Sequence, residues 1–447
     1  MMKKKSISTQ LNNTITSHLL PEFALDETQA ILFHKIETTN NSYFIQGQAG
    51  TGKSTFIRYL QAHSQKKVRI ACPTALAALH IGGVTLHSLF RLPLKDFFIL
   101  DDLELKRKTA STLKKTDILV IDEASMIRPD ILDAIDYLCK LARTPLLPFG
   151  GIQIILVGDL CQLPPVIKSS TYPIFKARYG HKEAYFFDAP AYQKAKFTTI
   201  ILTKVYRQND EKLLSKLIDL RHNRHTGEVI DFFNQAQFEN TAHQETAVTI
   251  TPYKQTAEQI NQSRLAALTG PEFIYDAEMT GNFRTLSETP APTRLILKEG
   301  ALVIFNKNNP PFWINGSTGI ITQAYDNMIW VELTETKKLV LVKPETWESY
   351  VYEYNNETDE VIEKINGTFT QFPLQLGYAL TIHKAQGKTL NKVIVDMNRG
   401  AFAHGQLYVA LSRTKTYNDI HLKNKIFTDD VIINQRVIDF LRNEINK

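Results

Sequence analysis

The stretch Gly47-Gln48-Ala49-Gly50-Thr51-Gly52-Lys53-Ser54-Thr55 decides how this chain folds. Its spacing is that of a phosphate-binding P-loop. An apolar run, Tyr43–Ile45, precedes it and reads as a strand; the run from Lys53 to His63 reads as a helix. That context gives the pattern its meaning. The glycines let backbone N–H groups curl around phosphate oxygens, and the helix N-terminus adds partial positive charge. Lys53 is expected to reach the β- and γ-phosphates of a bound ATP and Ser54 to offer its hydroxyl to Mg2+, with Gly47, Gly50, Thr51, Gly52 and Thr55 completing the cradle.

Working outward, further short apolar runs alternate with helical patterns over the first two hundred residues. Strands are expected at Arg69–Cys72, Ile118–Ile121 and Gln153–Val157. A helix is expected from Pro129 to Leu141, where Ile131, Leu132, Ile135, Leu138 and Leu141 recur at helical spacing. This is the pattern of a parallel α/β sheet covered on both faces. Leu119-Val120-Ile121-Asp122-Glu123 is an apolar strand ending in two carboxylates. Beside a P-loop, Asp122 would hold Mg2+ and Glu123 would act as general base on the attacking water. The next strand runs into Gly158-Asp159-Leu160-Cys161-Gln162-Leu163-Pro164-Pro165, where the Gln162 amide can sense the γ-phosphate without adding charge.

Between Leu92 and Thr116 lies a Lys-rich insert with Lys95, Lys106, Arg107, Lys108, Lys114 and Lys115. From Leu297 to about Phe372 the texture changes to short strands with turns such as Asn315-Gly316, which reads as a small antiparallel barrel whose aromatics Phe312 and Trp313 either stand exposed or pack the barrel's own core. Its ends should lie close together, which would make it removable. The α/β texture returns at Lys392–Asp396, and a final helix is expected from Asp430 to Arg442. A lobe with a P-loop alone hydrolyses ATP poorly, because charge on the transferring phosphoryl needs cations from across a cleft. Arg207, in Val205-Tyr206-Arg207-Gln208, and Arg413, ending the apolar run Leu407–Ser412, are the candidates.

Composition bounds the rest. The 447 residues hold 52 Lys and Arg against 46 Asp and Glu, a net +6 that fits a polyanionic partner without requiring one. Cys72, Cys139 and Cys161 are far apart and without metal-site spacing, so they read as reduced packing residues in a reducing compartment. The basic start Met1-Met2-Lys3-Lys4-Lys5 runs into polar Ser6 to Asn13 rather than an apolar core, so it does not read as a signal peptide. No apolar run is long enough for a membrane span. The expectation is a soluble protein of a bacterial-type cytosol, associated with the nucleoid.

In this order, the segments resemble superfamily-one DNA helicases, most closely the Pif-type branch in its compact bacterial-like form. The match runs from Leu25 to Thr414. Leu25-Asp26-Glu27-Thr28-Gln29 is similar to the adenine-reading motif, with Gln29 on the base. Pro73-Thr74-Ala75 and Thr85-Leu86-His87-Ser88-Leu89-Phe90 resemble the first DNA-contact motifs. Gly377 to Gly387, which includes Thr381, His383 and Lys384, resembles the motif linking DNA to nucleotide in the second lobe, with Gly387 at the nucleotide. Leu160 stands where the family usually has an aromatic, and His80 where asparagine is common.

The resemblance implies an α/β fold of two RecA-like P-loop motor lobes with parallel sheets. A small wedge insert would sit in the first lobe and a small SH3-like β-barrel insert in the second. The expected divisions are an N-terminal arm (1–20), the first lobe (21–91 and 117–198) around the wedge (92–116), and the second lobe (199–296 and 374–447) around the barrel (297–373). It also implies Mg2+ and ATP as cofactors, movement from 5′ to 3′ on single-stranded DNA, forked or tailed duplex DNA as partner, no membrane, and a monomeric motor. Backbone contacts by Thr74, Thr85 and Thr381, with stacking by His87 or Phe90, would be tolerant of sequence, and Pro164, His383 and Lys384 would also contact the DNA. Two other classes share parts of this pattern. A P-loop kinase or GTPase would use Lys53 and Asp122 but not the segments around His383 and Arg413. A non-enzymatic DNA scaffold with a structural ATP would not need Glu123. An RNA helicase of the same superfamily stays open, since a 2′-OH contact has no signature here.

Overall fold

The computed structural model describes residues 25–93, 95–181, 183–206, 210–236, 246–286, 289–355 and 360–445. The expected arm (1–20) and Arg207 lie outside the described residues. The first lobe is built on a six-stranded parallel sheet of β1 (Tyr43–Gly47), β2 (Val68–Cys72), β3 (Val84–Thr85), β4 (Ile118–Ile121), β5 (Gln153–Gly158) and β6 (Thr198–Leu202), in the order β3-β2-β4-β5-β1-β6. β1, β4 and β5 are buried along their whole length, which is why they read as continuous apolar runs rather than alternating ones. Each face packs a separate core. Phe56, Ile57 and Leu60 of the helix Lys53–His63 cover one; Leu132, Ile135 and Leu138 of the helix Pro129–Ala142 cover the other.

The chain crosses to the second lobe after β6, which pairs with β1 from Tyr43↔Thr198 to Gly47↔Leu202. The expected boundary at 198/199 therefore cuts a first-lobe strand, and the change of lobe follows Leu202. The second lobe begins with the helices Glu211–Arg221 and Thr226–Asn234 and with β7 (Val248–Thr251). The chain then leaves the lobe through β8 (Phe273–Asp276), β9 (Glu278–Met279) and β10 (Arg294–Leu297). It continues through β11 (Leu302–Phe305), β12 (Thr318–Ala324), β13 (Ile329–Leu333), β14 (Leu339–Val342), β15 (Glu345–Asn355), β16 (Glu360–Gln371) and β17 (Leu374–Leu376). It returns as β18 (Ala379–Thr381), β19 (Val393–Val395) and β20 (Ile420–Leu422), giving a parallel sheet in the order β18-β7-β19-β20.

Within the insert, β14-β13-β12-β11-β17 form an antiparallel sheet over a core of its own, including Val303, Phe305, Ile321, Val331 and Leu374. Its ends do meet: Val303 pairs with Leu376 across β11 and β17. Trp313 belongs to that core, its ring 4.6 Å from Phe305, so only Phe312, 60% exposed, is the open aromatic expected of the pair. The long hairpin β15–β16 was not foreseen. It reaches back to the first lobe, where Tyr352 joins the core, Arg69 lies 4.9 Å over the Tyr352 ring, and Lys108 bonds Glu353 at 2.7 Å.

The described residues of the Lys-rich segment contain no strand; a helix, Arg107–Lys114, points Leu113 into the first core and its lysines outward. The C-terminal helix spans Gln435–Ile445, later than predicted, because Thr428–Asp430 form a separate 3-10 turn. It lies on the first lobe, not the second: Val437 and Leu441 sit in the first-lobe core and Phe440 stacks on Phe187 at 4.3 Å. All three cysteines are buried and unpaired, and burial raises each thiol pKa. No described helix is long and apolar enough to cross a membrane.

Candidate nucleotide cleft and nucleic-acid face

β1 ends in the P-loop, and Gly52, at φ 81°, turns the chain into the helix Lys53–His63. A Cβ on Gly47 would sit 2.4 Å from the Thr51 hydroxyl, so the loop needs glycine there. Lys53 Nζ donates to the carbonyls of Gly47 and Gln48 at 2.7 and 3.0 Å. Burial lowers its pKa, with Asp159, Glu123 and Asp122 pulling the other way. β4 delivers Asp122, whose Oδ1 accepts the Glu123 N–H at 2.9 Å. Burial raises both carboxyls. Burial, then the Asp122 charge, pushes Glu123 up to about 7 against the pull of Lys53.

The other wall comes from the second lobe. The Gln386 amide donates to Glu123 at 3.3 Å, and Gly387 and Arg413 line the same cleft. Arg413 follows the helix Gln406–Leu411. It is 0% exposed, with its Nε donating to the Val409 carbonyl at 2.7 Å and its NH2 to the Ser412 hydroxyl at 2.6 Å. Gln29, Gly50, Gly52, Lys53, Ser54, Thr55, Asp122, Glu123, Gln162, Gly387 and Arg413 thus surround one cleft of about 470 Å³, within the range of small-ligand sites. Thr51, buried, bonds back to the Gln48 carbonyl and holds the loop from behind. Sequence reasoning misses Tyr206 in the lining and Arg221 outside it. Tyr206 donates its hydroxyl to Asp26 at 2.9 Å, and its ring flanks Gly52 beside Gln29. No local signal in the sequence marks Tyr206, because Asp26 lies 180 residues away. Arg221, discussed below, had no local signal.

The cleft fits Mg2+. Ser54 and Asp122 both line it, and no described cluster of three His, Cys, Asp or Glu competes as a metal site. That suits an ion that takes most of its ligands from phosphate and water.

Thr74, Thr85 and Thr381 share one geometry. Each ends at or beside a strand and caps a short helix, accepting the N–H of Ala77, Ser88 or Lys384 at 3.2, 3.1 and 3.2 Å. A hydroxyl that accepts at a cap keeps its own hydrogen to donate. Pro164 and exposed His383 meet in a second cleft of about 750 Å³ between the lobes, and exposed Lys384 lines a third with Thr381. His87 is half-buried, 6.2 Å from Phe98, with its pKa lowered by burial and by Arg128. Phe90 is a correction. It is 1% exposed in the first-lobe core with Leu86 and Leu89, so it cannot stack on a base. Leu160 is fully buried, and His80 bonds the insert through Asn315 at 2.9 Å.

Comparison with known proteins agrees with this geometry. The sequence pattern of the family described as PIF1-like helicase matches residues 24–227. An ATP-dependent DNA helicase Pif1 of Bdellovibrio bacteriovorus is 30% identical over 424 residues, which cover 92% of this chain and 91% of that protein. The crystal structure of Bacteroides sp Pif1 in complex with ADP-AlF4 superposes with a TM-score of 0.87 at 33% identity, over 95% of this chain and 98% of that one. Bacteroides Pif1 bound to single-stranded DNA superposes with a TM-score of 0.68 at 34% identity, over 94% and 97%.

Proposed function

This chain belongs to the PIF1-like helicases and is an ATP-dependent DNA helicase; from that premise we propose how its residues divide the work. The observation that carries the proposal is the shared cleft. Lys53, Asp122, Glu123 and Gln162 of the first lobe face Gly387 and Arg413 of the second. ATP binds with its adenine at Gln29 and the Tyr206 ring and its phosphates on Gly47 to Thr55. Ser54 and Asp122 hold Mg2+, which neutralises phosphate charge. Glu123 takes the proton of the attacking water, and Gln162 orients that water through its carbonyl, its amide nitrogen being held on Asp159 at 3.1 Å.

Arg413 stabilises the transition state from the second lobe, and Arg207 joins it. Since both walls come from one chain, a monomer suffices for hydrolysis, and we place its work in the cytosol. Single-stranded DNA runs across the strand ends, its phosphates on the hydroxyls of Thr74, Thr85 and Thr381 and on Lys384, its bases against His87, His383 and Pro164. ATP closes the cleft and hydrolysis reopens it, which moves the lobes in turn along the strand from 5′ to 3′. The DNA-bound relative superposes less closely than the nucleotide-bound one, which supports a change of shape when DNA binds.

The test is ATP turnover with single-stranded DNA, single-stranded RNA or neither, together with unwinding of duplexes carrying a 5′ or a 3′ tail. Stimulation by DNA and unwinding only from the 5′ tail are expected. Equal stimulation by RNA would favour the RNA-helicase reading, and unwinding from the 3′ tail would reverse the polarity.

A further inference from the structure

Asp159 follows β5 and is 1% exposed, yet its carboxylate is shared by groups from both lobes. From the first lobe, the Gln46 and Gln162 amides donate to it at 3.0 and 3.1 Å. From the second, Arg221 NH2 donates at 2.9 Å and the Tyr408 hydroxyl at 3.4 Å. Arg221 ends the helix Glu211–Arg221 and is 8% exposed. The ion pair holds Asp159 ionised: the Arg221 charge and then Lys53 outweigh burial and keep its carboxyl below the usual range.

The rest of the loop is gripped from the same side. His404 Nε2 donates to the Leu160 carbonyl at 2.9 Å, while its Nδ1 accepts the Asn434 N–H at 2.9 Å. A Cβ on Gly405 would come within 2.5 Å of the Cys161 carbonyl oxygen and 2.7 Å of that of Gln162, so the two backbones touch. Leu163 is buried in the second-lobe core with Leu213, Leu217 and Leu220. Residues 159–163 are therefore continuous with the first lobe but seated in the second.

We propose that Arg221 is a positioning residue for ATP hydrolysis. It fixes the Asp159 carboxylate, which holds the Gln162 amide nitrogen and so aims the Gln162 carbonyl into the cleft. The amide facing the γ-phosphate is then set only while the second lobe is seated, which ties hydrolysis to the relation between the lobes. The proposal rests on the reading of the cleft as the ATP site.

A double-mutant cycle tests it, with Arg221→Met, Gln162→Ala and the pair measured for ATP turnover at saturating oligo-dT and for binding of a fluorescent ATP analogue. Arg221→Met should lower kcat by roughly tenfold or more with analogue affinity changed by less than about threefold, and should add less than about twofold in the Gln162→Ala background, as expected of residues acting as a unit. The same factor in both backgrounds would overturn the proposal, and so would a normal kcat in Arg221→Met. Should the orphaned Asp159 charge prevent folding, the cycle is run with Arg221→Met and Asp159→Asn together, which leaves no unpaired charge, under the same criterion. Lys53→Ala separates the two readings. If it keeps normal turnover, the ATP-site reading fails; if it is inactive while the cycle shows no coupling, only the role of Arg221 fails.

Discussion

Glu123 leaves β4 in the left-handed region, φ 53°, and its carboxyl is held against burial and a neighbouring carboxylate. Glu123→Gln should bind Mg-ATP normally but turn it over at least about a hundredfold more slowly, the upper range for losing a general base. Single-turnover ATPase beside analogue binding checks this. The same substitution should change stability with pH. With the native Glu123 pKa at about 7 and the unfolded value near ~4.3, the native state binds more protons between them. Wild-type stability therefore falls as pH rises through that window and stays low above it. Glu123→Gln should gain Tm over wild type at pH 8 and lose most of that gain at pH 5; a gain independent of pH would assign it to packing. Arg413 demands a milder substitution than alanine, because its guanidinium bonds the Val409 carbonyl and the Ser412 hydroxyl inside the protein. Arg413→Lys should keep the fold, by circular dichroism, and still lose kcat by roughly a thousandfold, as for other arginine fingers. Turnover within a few-fold of wild type would make it a structural residue. That Lys53, Asp122 and Gln162 line one cleft was legible because each lies in a short contiguous motif. Arg221 was not, since its meaning depends on Asp159, 62 residues away in sequence.

At the level of elements, the buried parallel strands and the amphipathic helix Pro129–Ala142 followed from pattern, because each has one environment along its length. The segment Leu86–Phe90 shows the limit. Thr85 and His87 stay half-buried on this helix turn while Leu86, Leu89 and Phe90 go fully inward, a division that a five-residue motif does not declare. The hairpin β15–β16 shows it again. Trp347 and Tyr352, five residues apart on β15, point to opposite faces by ordinary alternation, and Trp347 packs in the insert with Phe369 while Tyr352 enters the first lobe, a partner the strand does not declare. That docking lies beside the helix carrying His87. It also rules out cutting the insert away cleanly, since Ile304 belongs to the second-lobe core and Tyr352 to the first. If the insert must shift when DNA binds, the docked hairpin opposes binding, and weakening it should favour the DNA-bound state. Tyr352→Ala should therefore tighten single-stranded DNA binding several-fold by fluorescence anisotropy despite lowering Tm. Weaker binding would show that the hairpin helps to build the DNA track instead.

Over the whole molecule, the chain ties the lobes together in ways that neither lobe's own sequence announces. The sequence placed the last helix with the second lobe because it follows β20; its partners, Phe44 in β1 and Phe187, lie hundreds of residues earlier. Its apolar face, with Val437 and Leu441 buried, had no neighbour to be matched with until the fold was known. The route there is also fixed. Asn434 bonds His404 of the second lobe, and Arg436 donates to the Glu183 carbonyl of the first at 3.0 Å. The C-terminal strap and the loop 159–163 thus hold the lobes from opposite directions, one reaching from the second lobe into the first and the other the reverse. Two such crossings should make the lobes melt together, although a chain of this size need not unfold in one step. Leu441→Asp buries a carboxylate where a leucine filled the first-lobe core, and the helix should then leave its seat rather than hold an unpaired charge. The loop alone would remain. Differential scanning calorimetry should show one main transition for the wild type and two for Leu441→Asp, with the first lobe, having lost the cover over Phe44, melting first. Mg-ATP analogue should bring the two transitions closer, because a ligand held by both walls of the cleft adds its binding energy to the contact between the lobes. A single transition merely displaced to lower temperature would mean that the loop and the ATP cleft already couple the lobes fully and that the strap only stabilises the first.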